Sequence, residues 1–202
     1  MRSRISAIML ASLFVIAGAL PFVVARAEGE VPAPPAIGSM IEDFTLPDVD
    51  NKEHSLKSLA GKNGAVLMFI SVQCPVSNAY NERIEQLAQD YKAKGINVIG
   101  INSNVAEDAA AVKAHAAEHK FTFTILKDAG NKIADKLGAS VTPEAYFVDA
   151  NNKLLYHGRI DNARNAAQVE TTDLRNALDA ALAGKGIEKT EAKAFGCTIK
   201  RA

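Results

Sequence analysis

Sulfur is scarce in this chain. Its 202 residues hold two cysteines, Cys74 and Cys197, and four methionines. Two thiols allow one intrachain disulfide at most. No second cysteine lies near Cys74 in sequence, and the methionines do not cluster, so the makings of a soft-metal site are thin. A net excess of either charge is also missing from the full chain. Lysine and arginine number 23, as do aspartate and glutamate, which gives no electrostatic case for nucleic acid or an anionic membrane surface. There is no internal repeat.

One long apolar run stands at the start. Arg2 and Arg4 precede an apolar stretch from Ile5 to about Val24, and Ala25-Arg26-Ala27 fits a small-x-small cleavage pattern. Residues 1–27 therefore read as a signal peptide, with export to a periplasmic or secreted setting. The competing reading is an uncleaved anchor, since the stretch is long enough to span a bilayer. Only in that case is a membrane a partner. Removing the segment takes away three arginines and no acid, leaving 20 basic against 23 acidic residues, a net −3. About 175 residues remain, enough for one domain with a sizeable core. Residues 28–36, with three prolines, form an extended lead-in; 37–184 form the domain; 185–202 form a tail carrying Cys197.

The domain alternates strand and helix patterns. Phe44–Leu46 is a short strand candidate, Leu56 and Leu59 mark a helical turn, and Ala65–Val72 is a continuous apolar strand of the doubly buried kind. Val76, Tyr80, Ile84, Leu87 and Tyr91 share one helical face, behind a proline suited to the first helical position. Asn97–Asn102 is a second buried strand, and Val105–Lys120 is helical by propensity. A strand at Phe121–Leu126 and a short helix at Ile133–Leu137 follow. Ala145–Val148 and Leu154–Ile160 flank a turn as a hairpin, and Leu174, Leu178 and Leu182 lie on a last helix. This order predicts an α/β protein with a central mixed sheet flanked by helices.

Cys74 falls where the first long strand ends and a helix begins. First-turn N–H groups and the helix dipole favour a thiolate there, and the thiolate is the nucleophile. A small buried residue, or half of a structural disulfide, is the alternative.

These features resemble the alkyl hydroperoxide reductase and thiol-specific antioxidant superfamily of thioredoxin-fold redoxins. Ile37-Gly38-Ser39 and Asp43-Phe44-Thr45-Leu46 are similar to its amino-terminal strand. Cys74-Pro75-Val76-Ser77 occupies the thioredoxin active-site position, Val141-Thr142-Pro143 resembles the cis-proline loop, and Gly196-Cys197-Thr198-Ile199-Lys200 resembles the tail of a peroxiredoxin-like branch. Ser77 stands where thioredoxin has its second cysteine. Ser71 matches the peroxiredoxin position three before the reactive cysteine, whereas Leu67 replaces the proline seven before it. Arg159 is a candidate for the arginine that polarises peroxide.

The resemblance implies a thioredoxin-like fold and a thiol oxidoreductase without a cofactor. Its substrate would be a peroxide or a protein disulfide, and an unidentified thiol reductant would recycle it. Cys74 is the candidate nucleophile. Ser77 could donate its hydroxyl to the thiolate or cap the helix, or be an ordinary first-turn serine; Ser71 could bond the thiolate or a peroxide oxygen, but plain strand polarity is the favoured reading. A cis Pro143 would turn the Thr142 backbone towards Cys74, where it could pair with an extended substrate. Cys197, on a flexible tail, could resolve the oxidised Cys74, staple the tail, or never meet it. A non-catalytic module holding Cu(I) or a partner is the alternative from another class. His115-Ala116-Ala117-Glu118-His119 fits a zinc peptidase pattern but reads as a solvated helix face, and His54 and His157 are isolated.

Overall fold

The computed structural model describes residues 31–201. The segment read above as a signal peptide, with its expected cleavage point, lies outside them. Chain contacts gather Val31–Ala202 into one unit. Among the described residues no helix is long and apolar enough to cross a membrane.

The unbroken apolar run after Gly64 becomes β3 (Gly64–Phe69), buried at every position. It lies at the middle of a six-stranded sheet. On one side it pairs in parallel with β4 (Ile96–Asn102), which pairs in parallel with β5 (Ile125–Lys127). On the other it pairs antiparallel with β7 (Glu144–Val148), the first strand of a hairpin completed by β8 (Leu154–Gly158). A two-residue strand, β9 (Glu191–Ala192), closes that edge. The order is β5-β4-β3-β7-β8-β9. Two small pairs stand apart: β1 (Thr45–Pro47) with β2 (Glu53–Ser55), and β6 (Val141–Thr142) with β10 (Cys197–Thr198).

Strand alternation sends successive side chains to opposite faces, and each face has its own apolar layer. Val66, Met68 and Val98 pack with Ile84 and Leu87 of α3 (Asn81–Lys92) and Leu174 and Leu178 of α6 (Asp173–Leu182). Leu67, Phe69, Ile99 and Ile101 pack with Leu56 of α1 (Leu56–Leu59) and with Ile133 and Leu137 of α5 (Lys132–Leu137).

The helix expected after Cys74 is broken in two. The first piece, α2 (Pro75–Asn78), ends where the Tyr80 N–H donates to the Ser77 carbonyl at 2.9 Å, a tightened turn, and α3 starts afresh at Asn81. The Tyr80 ring is thereby buried, with its hydroxyl 2.8 Å from Asp161 Oδ1. The next helix, α4 (Ala109–Glu118), starts later than propensity suggests because Asp108 caps it, accepting the Ala111 N–H at 2.8 Å. That leaves residues 104–107 as a loop, and the loop reaches the site.

Candidate active site

Cys74 sits just beyond the carboxyl end of β3 as the cap of α2, and only 3% of its surface is exposed. It is joined by a disulfide to Cys197, with the two Cα atoms 5.8 Å apart across 123 sequence positions. The Thr142–Pro143 bond is cis. The Thr142 carbonyl oxygen lies 3.3 Å from Cys74 Sγ, and the Ser77 N–H donates to the same sulfur at 3.3 Å. Since α2 is only four residues long, the help a thiolate receives here is that single local N–H rather than the dipole of a long helix. The carbonyl opposite suits a protonated thiol.

Neither serine's hydroxyl bonds the sulfur. The Ser77 hydroxyl oxygen accepts the Ser71 N–H at 3.1 Å, so its backbone, not its side chain, serves the sulfur. Ser71 Oγ accepts the Cys74 N–H at 3.1 Å and donates to Glu107 Oε1 at 2.6 Å. Its proton is thus committed to a carboxylate.

Glu107 went unnoticed in the sequence. It is 2% exposed and takes the Val72 N–H at 2.9 Å and the Gln73 N–H at 3.0 Å, with further donation from Asn102 and Asn104. Burial pushes its carboxyl up, but donation by Ser71, Val72, Asn102 and Gln73 outweighs burial and holds it below the ordinary glutamate range. A single charge therefore organises the three residues that lead into Cys74. In sequence it looked like one more acid at the start of an alanine-rich helix.

A second buried carboxylate organises the opposite loop. Glu144, next to the cis-proline, accepts the Ser140 and Val141 N–H groups at 2.8 and 3.2 Å. His157 Nε2 donates to it at 2.6 Å, with the imidazole stacked on Tyr146 at 4.3 Å. Burial raises the Glu144 carboxyl, yet His157 and the two amides hold it below its usual range. His157, isolated in sequence, is thus a partner of the loop carrying Thr142. Arg159 points elsewhere, its Nε 2.7 Å from Asp173 Oδ2. His115 is buried, with Nε2 3.1 Å from Asn81 Nδ2, and burial followed by His119 keeps its pKa low.

The tail is docked along both loops. Cys197 and Thr198 pair antiparallel with Thr142 and Val141. Gly196 crosses the Thr142 carbonyl so closely that a Cβ there would come within 1.9 Å of the oxygen, so only glycine fits. The strand edge at Thr142, expected to receive an extended substrate, is occupied by the chain's own residues. Beside the disulfide lies a cavity of about 270 Å³, lined by Ser71, Gln73, Glu107 and Lys200 among others.

A cysteine just past the carboxyl end of a buried strand, at the start of a helix and facing a cis-proline loop, is the thioredoxin-like arrangement for thiol redox chemistry; here its disulfide partner is Cys197 on the tail. The fold agrees: 83% of the chain superposes on 96% of a hypothetical protein from Sinorhizobium meliloti with a TM-score of 0.77 and 34% identity, and thioredoxin-like redox proteins share the same architecture. Residues 37–157 match the model of the AhpC/TSA family, and the chain belongs to that family. The chain is similar to peroxiredoxin Q of Triticum aestivum, 34% identical over 126 residues, or 59% of this chain and 57% of the relative. It is also similar to the thiol-disulfide oxidoreductase ResA of Geobacillus thermodenitrificans, 28% identical over 119 residues, or 59% of this chain and 67% of the relative. The chain thus spans about three-fifths of the length of these curated relatives.

Proposed function

We propose that this protein is an exported thiol–disulfide oxidoreductase that cycles between the Cys74–Cys197 disulfide and the dithiol. The single observation that carries this reading is the disulfide itself, set against the cis-proline loop. In the reducing direction the Cys74 thiolate attacks one sulfur of a substrate disulfide. A Cys74–substrate bond forms and the substrate's other sulfur leaves as thiolate. Cys197, deprotonated, then attacks Cys74 Sγ, closing the internal disulfide and releasing the second substrate thiolate. A thiol reductant reverses the last closure. Ser77 supplies an N–H to Cys74 whenever it carries charge, Ser71 fixes the Cys74 amide, and Thr142 and Pro143 form the opposing wall. Export rests on the amino-terminal segment.

Peroxide reduction is the second reading, favoured by the small cavity beside Cys74 and the likeness to peroxiredoxin Q. There, the thiolate would take one peroxide oxygen to give sulfenic acid and an alcohol or water, and Cys197 would condense with it, releasing water. Two observations weigh against it: among the described residues no arginine lines the cavity, and the Ser71 proton is already donated to Glu107.

The deciding experiment gives the reduced protein glutathione disulfide or hydrogen peroxide in separate reactions, each followed by mass and disulfide mapping. Disulfide exchange predicts closure of Cys74–Cys197 with glutathione disulfide, a trapped Cys74–glutathione adduct in Cys197→Ser, and no reaction of Cys197 alone in Cys74→Ser. Wild-type rates in Cys74→Ser would overturn the assignment of the nucleophile. Faster closure with peroxide would move the substrate to hydroperoxides.

A further inference from the structure

Most of what holds the tail against the domain does not involve sulfur. The Ile199 N–H donates to the Ser140 carbonyl at 3.0 Å, and Ile199 itself is buried in the apolar layer with Leu67 and Leu137. The Lys200 N–H donates to Asn104 Oδ1 at 2.8 Å, and the Lys200 carbonyl accepts the Val105 N–H at 3.1 Å. Arg201 donates through Nε to Asp135 Oδ1 at 2.8 Å and through Nη2 to the Ala139 carbonyl at 2.7 Å. The contacts lie on both sides of the strand, towards residues 104–105 and towards 135–142.

Asn104 joins these contacts to the other cysteine. Its Oδ1 takes the tail amide while its Nδ2 donates to Glu107 Oε1 at 3.3 Å. Glu107 in turn holds Ser71, and Ser71 holds the Cys74 amide. A continuous path of hydrogen bonds therefore runs from the Lys200 amide through Asn104, Glu107 and Ser71 to Cys74. All three intervening side chains are buried, where a lost partner leaves its donor or acceptor unsatisfied. Asn104 and Glu107 also line the cavity into which both cysteines face.

We propose that Asn104 and Glu107 are positioning residues that keep Cys197 docked beside Cys74 in the reduced protein, making the two thiols a standing pair. This builds on the redox reading above. A pair held in place has a much higher effective concentration than one joined by a freely moving segment, and that concentration sets how strongly the dithiol tends to close. In glutathione buffer the closure consumes the protein dithiol and one glutathione disulfide and yields the protein disulfide and two glutathiones. Its equilibrium constant reads the effective concentration directly.

The test has two parts. Hydrogen exchange is followed at the Ile199 and Lys200 amides after complete reduction with a phosphine, in wild type, Asn104→Asp and Glu107→Gln. Asn104→Asp keeps the acceptor for the Lys200 N–H but sets a second carboxylate against Glu107. Glu107→Gln keeps the side chain's shape and replaces one acceptor oxygen with a donor facing donors. The reduced wild type is expected to keep both amides protected, and both variants are expected to lose that protection at least tenfold while Val66 and Val98 in the sheet keep theirs. The glutathione equilibrium constant should fall at least tenfold in each variant, about 30 mV in potential. Unprotected tail amides in the reduced wild type would overturn the proposal, as would equilibrium constants unchanged in both variants. If glutathione never opens or closes the bond, the redox reading fails instead, and the exchange data on phosphine-reduced protein still decide whether the tail stays docked.

Discussion

The two sulfurs reach the same point by opposite means. Cys74 follows a strand with every side chain buried and precedes two helices, so the apolar core delivers it. Cys197 lies on a two-residue strand in a stretch with little regular structure, delivered by backbone pairing to Thr142 and by the hydrogen bonds of its neighbours, with Ile199 as its apolar anchor. One half of the site is thus a by-product of folding the sheet. The other half is held by polar contacts that a modest change can release. The difference teaches that the pair's chemistry can be tuned from the tail side without disturbing the fold.

The largest effect comes from removing the cross-link that joins the two regions. In the chain-entropy account, a closed loop of this length stabilises the fold by on the order of 5 kcal/mol. It acts through the unfolded chain, so the loss is expected even where the tail stays docked. Unfolding free energies extrapolated to zero denaturant for oxidised and reduced protein, each with its own m-value, measure it. A drop of under about 1 kcal/mol would mean that the unfolded ensemble is already restrained.

A pair of core truncations sharpens the comparison. Leu67→Ala on β3 and Ile199→Ala in the tail should each cost about 2–5 kcal/mol, since both side chains are buried. Only Ile199→Ala is expected to lower the glutathione equilibrium constant of the pair. Equal redox effects from both would show that the tail has no independence from the sheet.

The smallest effect concerns Glu144 and pH. Glu144→Gln weakens the acceptor for two loop amides and His157, at a cost of about 1–3 kcal/mol at neutral pH. In the folded protein Glu107 and Glu144 are both held below the ordinary glutamate value of about 4.5. A carboxyl lowered by folding contributes stability that is fully present above its unfolded value and is lost as pH falls through its folded value. Wild-type stability should therefore decline as the pH is taken below about 4.5, and the decline should be shallower in Glu144→Gln. Parallel curves would remove Glu144 from the account.

Much of the architecture was legible because it rests on apolar periodicity. The run from Ala65 marks β3, Asn97–Asn102 marks most of β4, and the turn at Asp149–Asn152 separates the hairpin strands. Legibility faded where polar groups decide. The break at Tyr80 depends on its hydroxyl finding Asp161 far along the chain. The late start of α4 depends on Asp108 capping it while Glu107 serves the other loop. Cys74 was named from local sequence, and Cys197, Ser71, Ser77 and the cis-proline loop through the family resemblance; the structure brings them together. Glu107, Asn104 and Glu144 were missed, since an acid or an amide carries no local sign of the donors it will meet. A weak signal existed for Glu107: with Asp108 already filling the capping position, a second acid beside it had no helical role.

The spacing of the two cysteines has a consequence for how the molecule is made. As the chain grows, Cys74 emerges with β3, and β4, β7, β8 and α6 must all follow before Cys197 is synthesised. For that interval Cys74 is a lone thiol with no lawful mate. The bond cannot close as a local loop: the geometry seen here requires residues 197–201 to be seated beside the completed sheet.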